Sequence, residues 1–231
     1  MAEKRACNHS CAHQACISLV PIFNHLEPAQ MDEIMQTVQP GSYKKGEVIY
    51  RAGDQSDSLY IVNKGKIRIY RLSESGKEQL VRILNPGNFT GELALFQENV
   101  HEAYAEAVVD TEVCTIKRSD LQEFLIKYPS ISLKILSEFS NRLEKSERQT
   151  ARFATERVET RIALFLAECV EDQDGSLHIQ LPMSKKDLAS YLGTTPETIS
   201  RRLTAFEEQG LIKQVGQRKM EILKLDDLLL I

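Results

Sequence analysis

Between residues 40 and 118 the chain is cut by glycine into short apolar runs. Val48-Ile49-Tyr50 leads into Ala52-Gly53-Asp54, Leu59–Val62 into Lys64-Gly65-Lys66, Ile67–Tyr70 into Ser75-Gly76, and Leu80–Leu84 into Pro86-Gly87. Glycine is the residue that accepts positive φ at a tight turn without a Cβ clash. About six to eight short strands at roughly 8–12-residue spacing, punctuated by such turns, predict a β-barrel or sandwich.

The flanks are different. Residues 1–16 show neither helical nor strand periodicity and are set apart as a Cys-rich arm. Residues 17–118 are expected to form the effector or sensor domain, entered through a helical segment in which Pro28 marks a start and Met31, Ile34, Met35 and Val38 recur at helical spacing. Residues 119–154 turn helical. Leu136, Phe139, Leu143, Ser146, Thr150 and Phe153 follow alternating steps of three and four, the pattern of a coiled-coil seam that is apolar first and polar later. Two readings stay open: an amphipathic helix lying on its own core, or a dimerisation helix with a deliberately marginal seam. Residues 155–231 complete a second domain, beginning with the apolar helix that carries Val158, Ile162, Ala163, Phe165 and Leu166. The fold class expected is α+β: an N-terminal β-roll, a long dimerisation helix and a C-terminal winged helix-turn-helix.

The last domain holds the nucleic-acid signal. In Ser184–Gly210, Leu188, Ala189 and Leu192 give a first helix its buried side, and Gly193 stands where a tight helix–helix turn needs it. Thr195 is a good N-cap and Pro196 suits the first helical position of a second helix, whose buried stripe is Ile199, Leu203 and Phe206. Its opposite face presents Glu197, Ser200, Arg201 and Arg202 near the N-terminus, the part of a recognition helix that enters the major groove. Arg can pair with a guanine edge through two hydrogen bonds, Glu can accept from the cytosine amino group, and Ser serves either role. Lys185 and Lys186, with Lys213, Arg218 and Lys219, supply cations for phosphates, and Lys213–Ile222 reads as a strand, a glycine turn and a strand, hence a wing. Such helix pairs also serve as protein contacts, so a pure interaction module is the competing reading. The net charge of −4 means that any basic surface is local.

Cys7, Cys11 and Cys16 fall within ten residues, with His9 and His13 interleaved. No apolar run reaches the ~20 residues of a spanning helix, and the start of the chain is polar, unlike a signal peptide. A cytoplasmic location without a membrane partner follows as the expectation. Five cysteines in a reducing compartment point to metal or redox chemistry and away from a disulfide framework. Tetrahedral zinc on thiolates and imidazoles is one such chemistry. Cys169, on the apolar helix, is expected to be a buried small hydrophobe. No nucleophile–base pair is visible in the β-region, where His101 lacks a local Ser or Cys partner, so an enzyme is not expected.

These residues together resemble the CRP/FNR family of bacterial regulators over nearly the whole chain. Gly53-Asp54 with Leu59-Tyr60, then Gly65, Pro86-Gly87 and Gly91-Glu92-Leu93-Ala94-Leu95-Phe96 are similar to the family's cyclic-nucleotide-binding-like jelly roll, and Thr198-Ile199-Ser200-Arg201 to its recognition helix. The resemblance implies a homodimer on double-stranded DNA, with RNA polymerase as a further partner. Cyclic-nucleotide members carry Arg-Ser/Thr-Ala shortly after the Gly-Glu-Leu turn, and this chain has Val100-His101-Glu102-Ala103-Tyr104 instead, so cyclic AMP is not expected. Glu197-x-x-Ser200-Arg201 is similar to the FNR-type pattern of base contacts, which implies a TTGAT-type half-site in a palindrome. Cys114 stands where FNR-type oxygen sensors carry their central ligand. The resemblance therefore implies that Cys7, Cys11, Cys16 and Cys114 ligate a [4Fe–4S] cluster, one thiolate per iron. The arm spacing here is C-x3-C-x4-C, against the C-x2-C-x5-C usual in that subgroup, which moves the middle ligand by one residue. Zinc, or a reversible disulfide between an arm cysteine and Cys114 as in Flp-type relatives, remains the alternative.

Overall fold

The computed structural model describes residues 17–96 and 99–231. These residues divide into two units: one runs to Ser75 and resumes over Val81–Arg142, and the other comprises Gly76–Leu80 and Leu143–Ile231.

The first unit opens with apolar turns at Ile17–Leu26 and helix α1 (Pro28–Met35), where Glu27 and Gln30 form a reciprocal capping box and Pro28 sits in the first turn. The strands follow: β1 (Gln39–Tyr43), β2 (Val48–Tyr50), β3 (Gln55–Ser56), β4 (Ser58–Lys64), β5 (Ile67–Leu72), β6 (Glu78–Leu84), β7 (Phe89–Thr90), β8 (Asn99–Val100), β9 (Tyr104–Ala107) and β10 (Thr111–Lys117). They form two four-stranded sheets, ordered β1-β10-β4-β7 and β2-β9-β5-β6, plus the short pair β3-β8. Strand alternation decides what each sheet covers. Val62 and Val113 of the first sheet share the inter-sheet core with Tyr50, Ile67, Ile69, Leu84 and Ala105. Their chain neighbours Ile61 and Cys114 point to the opposite face, into a cluster with Phe89, Ile17, Val20, Phe23, Leu121, Ile131 and Ile135. Strands β4 and β10 of the first sheet are thus buried on both faces, while the edge strand β1 has no buried residue.

The helical region foreseen over 119–154 is two helices. Helix α2 (Arg118–Lys127) stops at Tyr128, whose φ of −126° and ψ of 76° leave the helical well, and α3 (Pro129–Thr155) then runs 27 residues. The cause is Pro129: its ring excludes the α conformation from the residue before it, while its own fixed φ starts the next helix. At 1.5 Å per residue α3 extends about 40 Å.

The second unit contains α4 (Val158–Glu171), β11 (His178–Gln180), α5 (Lys185–Tyr191), α6 (Pro196–Glu208), β12 (Ile212–Gln214), β13 (Lys219–Ile222) and α7 (Leu225–Leu229). Ile162, Leu166, Leu188, Ile199, Leu203 and Phe206 are its buried centre. The foreseen wing hairpin is the pair β12–β13, and β11 adds a third strand in the order β11-β13-β12. At three residues β11 is too short to show a period in the sequence.

Candidate nucleic-acid interface and sensor core

Helix α6 is built as its sequence demands. The Thr195 hydroxyl accepts from the Thr198 amide at 3.2 Å, and Pro196 occupies the first turn. Gly193 joins α5 to α6 at φ +66°, with Phe153 so close that a Cβ would lie 3.2 Å from its ring. Glu197, Ser200, Arg201 and Arg202 are exposed on α6 while Ile199, Leu203 and Phe206 are buried beneath them. The Glu197 carboxyl is held below its ordinary pKa by its own backbone amide and by the Thr195 hydroxyl. It is therefore a carboxylate at neutral pH, fit to accept hydrogen bonds.

Two of the proposed cations have partners that the sequence did not reveal. Arg202 pairs with Glu159 of α4 at 2.9 Å. Lys185 donates to Gln214 of β12 at 2.8 Å, and Gln214 in turn donates to Glu207 from both its backbone amide, at 2.8 Å, and its side chain, at 3.0 Å. Lys185 thus ties the start of α5 to the wing. Lys186, Lys213, Arg218 and Lys219 are exposed. The Arg202–Glu159 pair is partly buried, with the Arg202 side chain 47% and the Glu159 side chain 22% exposed.

The seam residues are divided. Leu136 and Leu143 are 59% and 61% exposed, and Ser146 and Thr150 are exposed with the Thr150 hydroxyl bonded back to the Ser146 carbonyl. Phe139 is partly buried on its own core and meets Phe96 edge-on at 5.6 Å. Phe153 lies beside Gly193 and under the Arg161 guanidinium. The helix thus carries Ile131, Ile135 and Phe139 on the home core, while Leu136 and Leu143 are exposed.

Of the four candidate cluster ligands, Cys7, Cys11 and Cys16 lie outside the described residues. Cys114 is 1% exposed on the helix-facing side of its sheet. It shares its cluster with Ile17, Val20, Ile22 and Phe23, so the chain that leaves Cys16 enters the pocket containing Cys114. Cys169 is buried in α4, where desolvation, aided by Asp172 and Glu168, pushes its thiol up to about 12. It is a packing residue with no accessible thiolate. No group of three or more metal-ligating side chains occurs among the described residues, and no described helix is long and apolar enough to cross a membrane.

The roll interior is occupied by its own side chains. His101 stacks on Tyr50 with ring centroids 3.7 Å apart, and the Tyr50 and Thr90 hydroxyls are 2.8 Å apart. Burial lowers the His101 pKa against the opposing pull of Asp54, Asp57 and Glu92. Glu102 points elsewhere and pairs with Arg71 at the surface. Its carboxylate is exposed, whereas His101 is 7% exposed and stacked inside the roll.

A family model for the cyclic nucleotide-binding domain matches residues 40–128, and one for the Crp-like helix-turn-helix domain matches residues 160–231. The chain is 32% identical to the probable transcriptional regulator flp of Lacticaseibacillus casei, over 93% of this chain and 96% of that one. It is 30% identical to the anaerobic regulatory protein of Haemophilus influenzae, over 91% of this chain and 82% of the other. The structure of FixK2 from Bradyrhizobium japonicum superposes with a TM-score of 0.72 at 29% identity, covering 83% of this chain and 95% of that one. These matches show that the chain belongs to the CRP/FNR family of DNA-binding transcriptional regulators, which are not enzymes.

Proposed function

We propose that this regulator responds to oxygen or redox state through a [4Fe–4S] cluster held by Cys7, Cys11, Cys16 and Cys114, and that it binds a TTGAT-type palindrome as a homodimer in the cytoplasm, where it contacts RNA polymerase. The observation that carries the sensing part is the position of Cys114: a thiol sealed in an apolar cluster that the chain enters directly after Cys16. Apolar walls suit a polynuclear centre that must be kept from water and oxygen, and four thiolates are the ligand set such a cluster takes. When bound, it supplies an oxygen-labile, redox-active junction between the arm and β10. Dimerisation is supported by the uncovered Leu136 and Leu143, and base reading by the exposed Glu197, Ser200 and Arg201. The stacked His101 and Tyr50 inside the roll speak for an effector other than a cyclic nucleotide.

The likeness to flp, together with the same buried position of Cys114, favours one second reading: a reversible disulfide between an arm cysteine and Cys114. Anaerobic purification followed by an absorption spectrum with iron and sulfide analysis separates the two. About four irons and four sulfides per chain, with broad absorption in the visible, are expected for the cluster. A colourless protein whose Cys114 peptide appears disulfide-linked after exposure to air would establish the thiol switch instead, and bound zinc would reject both.

A further inference from the structure

Three neighbouring strands carry the position of Cys114 towards α3. Cys114 of β10 stands opposite Ile61 of β4, and Ile61 stands opposite Phe89 of β7. Residues paired across neighbouring strands share a face, and all three side chains lie in the same buried cluster. The row ends on Arg142 of α3. Its guanidinium lies over the Phe89 ring, 4.4 Å from the centroid, and donates to the Phe89 carbonyl at 3.2 Å. It also donates to the Glu92 carboxylate at 2.5 Å, and that same carboxylate oxygen accepts from Arg82 at 3.0 Å. Glu92 itself is only 7% exposed. About one turn earlier on α3, Phe139 meets Phe96. The segment from Phe89 to Phe96 thus grips the helix twice, once through an ion pair and once through an aromatic edge.

We infer that Arg142 is the positioning residue that couples Cys114 to the long helix, through Phe89 and Glu92. The inference rests on Cys114 belonging to the sensor. A guanidinium held at once by a ring face, a carbonyl and a buried carboxylate has few alternative positions. Close-packed cores switch between discrete arrangements and do not stretch continuously. A displacement along the Cys114–Ile61–Phe89 row therefore either moves α3 with it or breaks the Arg142 contacts. Leu143, the next residue, is exposed, so a movement of Arg142 is delivered where a second copy would pair.

Coupling between two sites is reciprocal, so loosening Arg142 must be felt at Cys114. The test is the rate of iodoacetamide alkylation at each cysteine, read by peptide mass spectrometry on the full-length, metal-free, reduced protein. Arg142→Met keeps an apolar stem and leaves Glu92 paired with Arg82, so the roll retains its buried ion pair. Alkylation of Cys114 is expected to accelerate about tenfold, within the range usual for coupled sites. Cys169, in the other unit, is expected to keep its rate and serves as the internal reference. Arg68→Met, which removes a partly buried ion pair with Glu106 in the opposite sheet, is expected to leave Cys114 unchanged. Arg142→Lys is expected to fall between wild type and Arg142→Met. An unchanged Cys114 rate in Arg142→Met overturns the proposal, as does an equal acceleration in Arg68→Met, which would mark a general loosening of the roll. If Arg142→Met accelerates Cys114 but Cys114→Ser leaves wild-type DNA affinity unaltered, the mechanical link stands and the sensing role of Cys114 falls.

Discussion

At the scale of single residues, chemistry and position separate groups that composition treats as equal. Arg201 and Arg202 are adjacent on α6, yet Arg202 is engaged by Glu159 and Arg201 is exposed. Arg201→Ala is expected to cost about 1–3 kcal/mol on the palindrome and to blur discrimination at one base pair. Arg202→Ala should cost less, because breaking its ion pair offsets part of whatever it gains on DNA. Fluorescence anisotropy on specific and scrambled duplexes measures both, and equal losses on the two duplexes for Arg201→Ala would show that it holds phosphate only. The cysteines divide in the same way. Cys114→Ser is expected to lose most bound iron because the cluster needs all four thiolates. Cys169→Ser, which alters a thiol with no accessible thiolate, should retain it. Full iron retention in Cys114→Ser ends the four-ligand proposal.

At the scale of elements, the turn between α5 and α6 sets the angle at which the recognition helix is presented. Thr195→Ala removes the N-cap acceptor and should destabilise by about 1 kcal/mol. Gly193→Ala places a Cβ in a left-handed conformation, itself worth roughly 1–2 kcal/mol, and 3.2 Å from Phe153. The glycine variant should therefore be the worse of the two in urea denaturation, and the reverse order would mean that Phe153 yields without cost. Most of this element was legible in the sequence, because Gly193, Thr195 and Pro196 each have a conformational role fixed by their own chemistry. The strands of the roll were legible for the same reason, through glycines such as Gly65, whose φ is +93° and where a Cβ would fall 2.6 Å from the Asp110 carbonyl oxygen. Less legible were features that join distant segments. Glu159 and Arg202, or Glu92 and Arg142, are ordinary surface-type residues until the fold brings them together. The break at Tyr128 was carried by Pro129, a signal hidden by the apolar periodicity on either side of it.

At the scale of the whole molecule, a chain of net charge −4 must confine its attraction for DNA to α6, the wing and the start of α5. Pairing two such chains doubles the number of phosphate contacts, so dimerisation is the natural point at which to regulate DNA binding. The seam on α3 is suited to this because it is apolar at Leu136 and Leu143 and polar at Ser146 and Thr150, all of them exposed. A few kcal/mol of differential interaction at the sensor is enough to shift a marginal two-state dimer almost completely. Filling the polar half of the seam should remove that sensitivity. Ser146→Leu with Thr150→Ile adds apolar area where two copies would meet, and the second change also removes the Thr150–Ser146 back-bond. The double variant is expected to sediment as a dimer in air and to retain its affinity for the palindrome after exposure to oxygen, whereas the wild type loses both. If the double variant dimerises in air but still loses DNA, the sensor acts on the recognition helix by another route. If the wild type keeps its DNA affinity whether or not its metal centre is intact, pairing is constitutive and oxygen is not the signal.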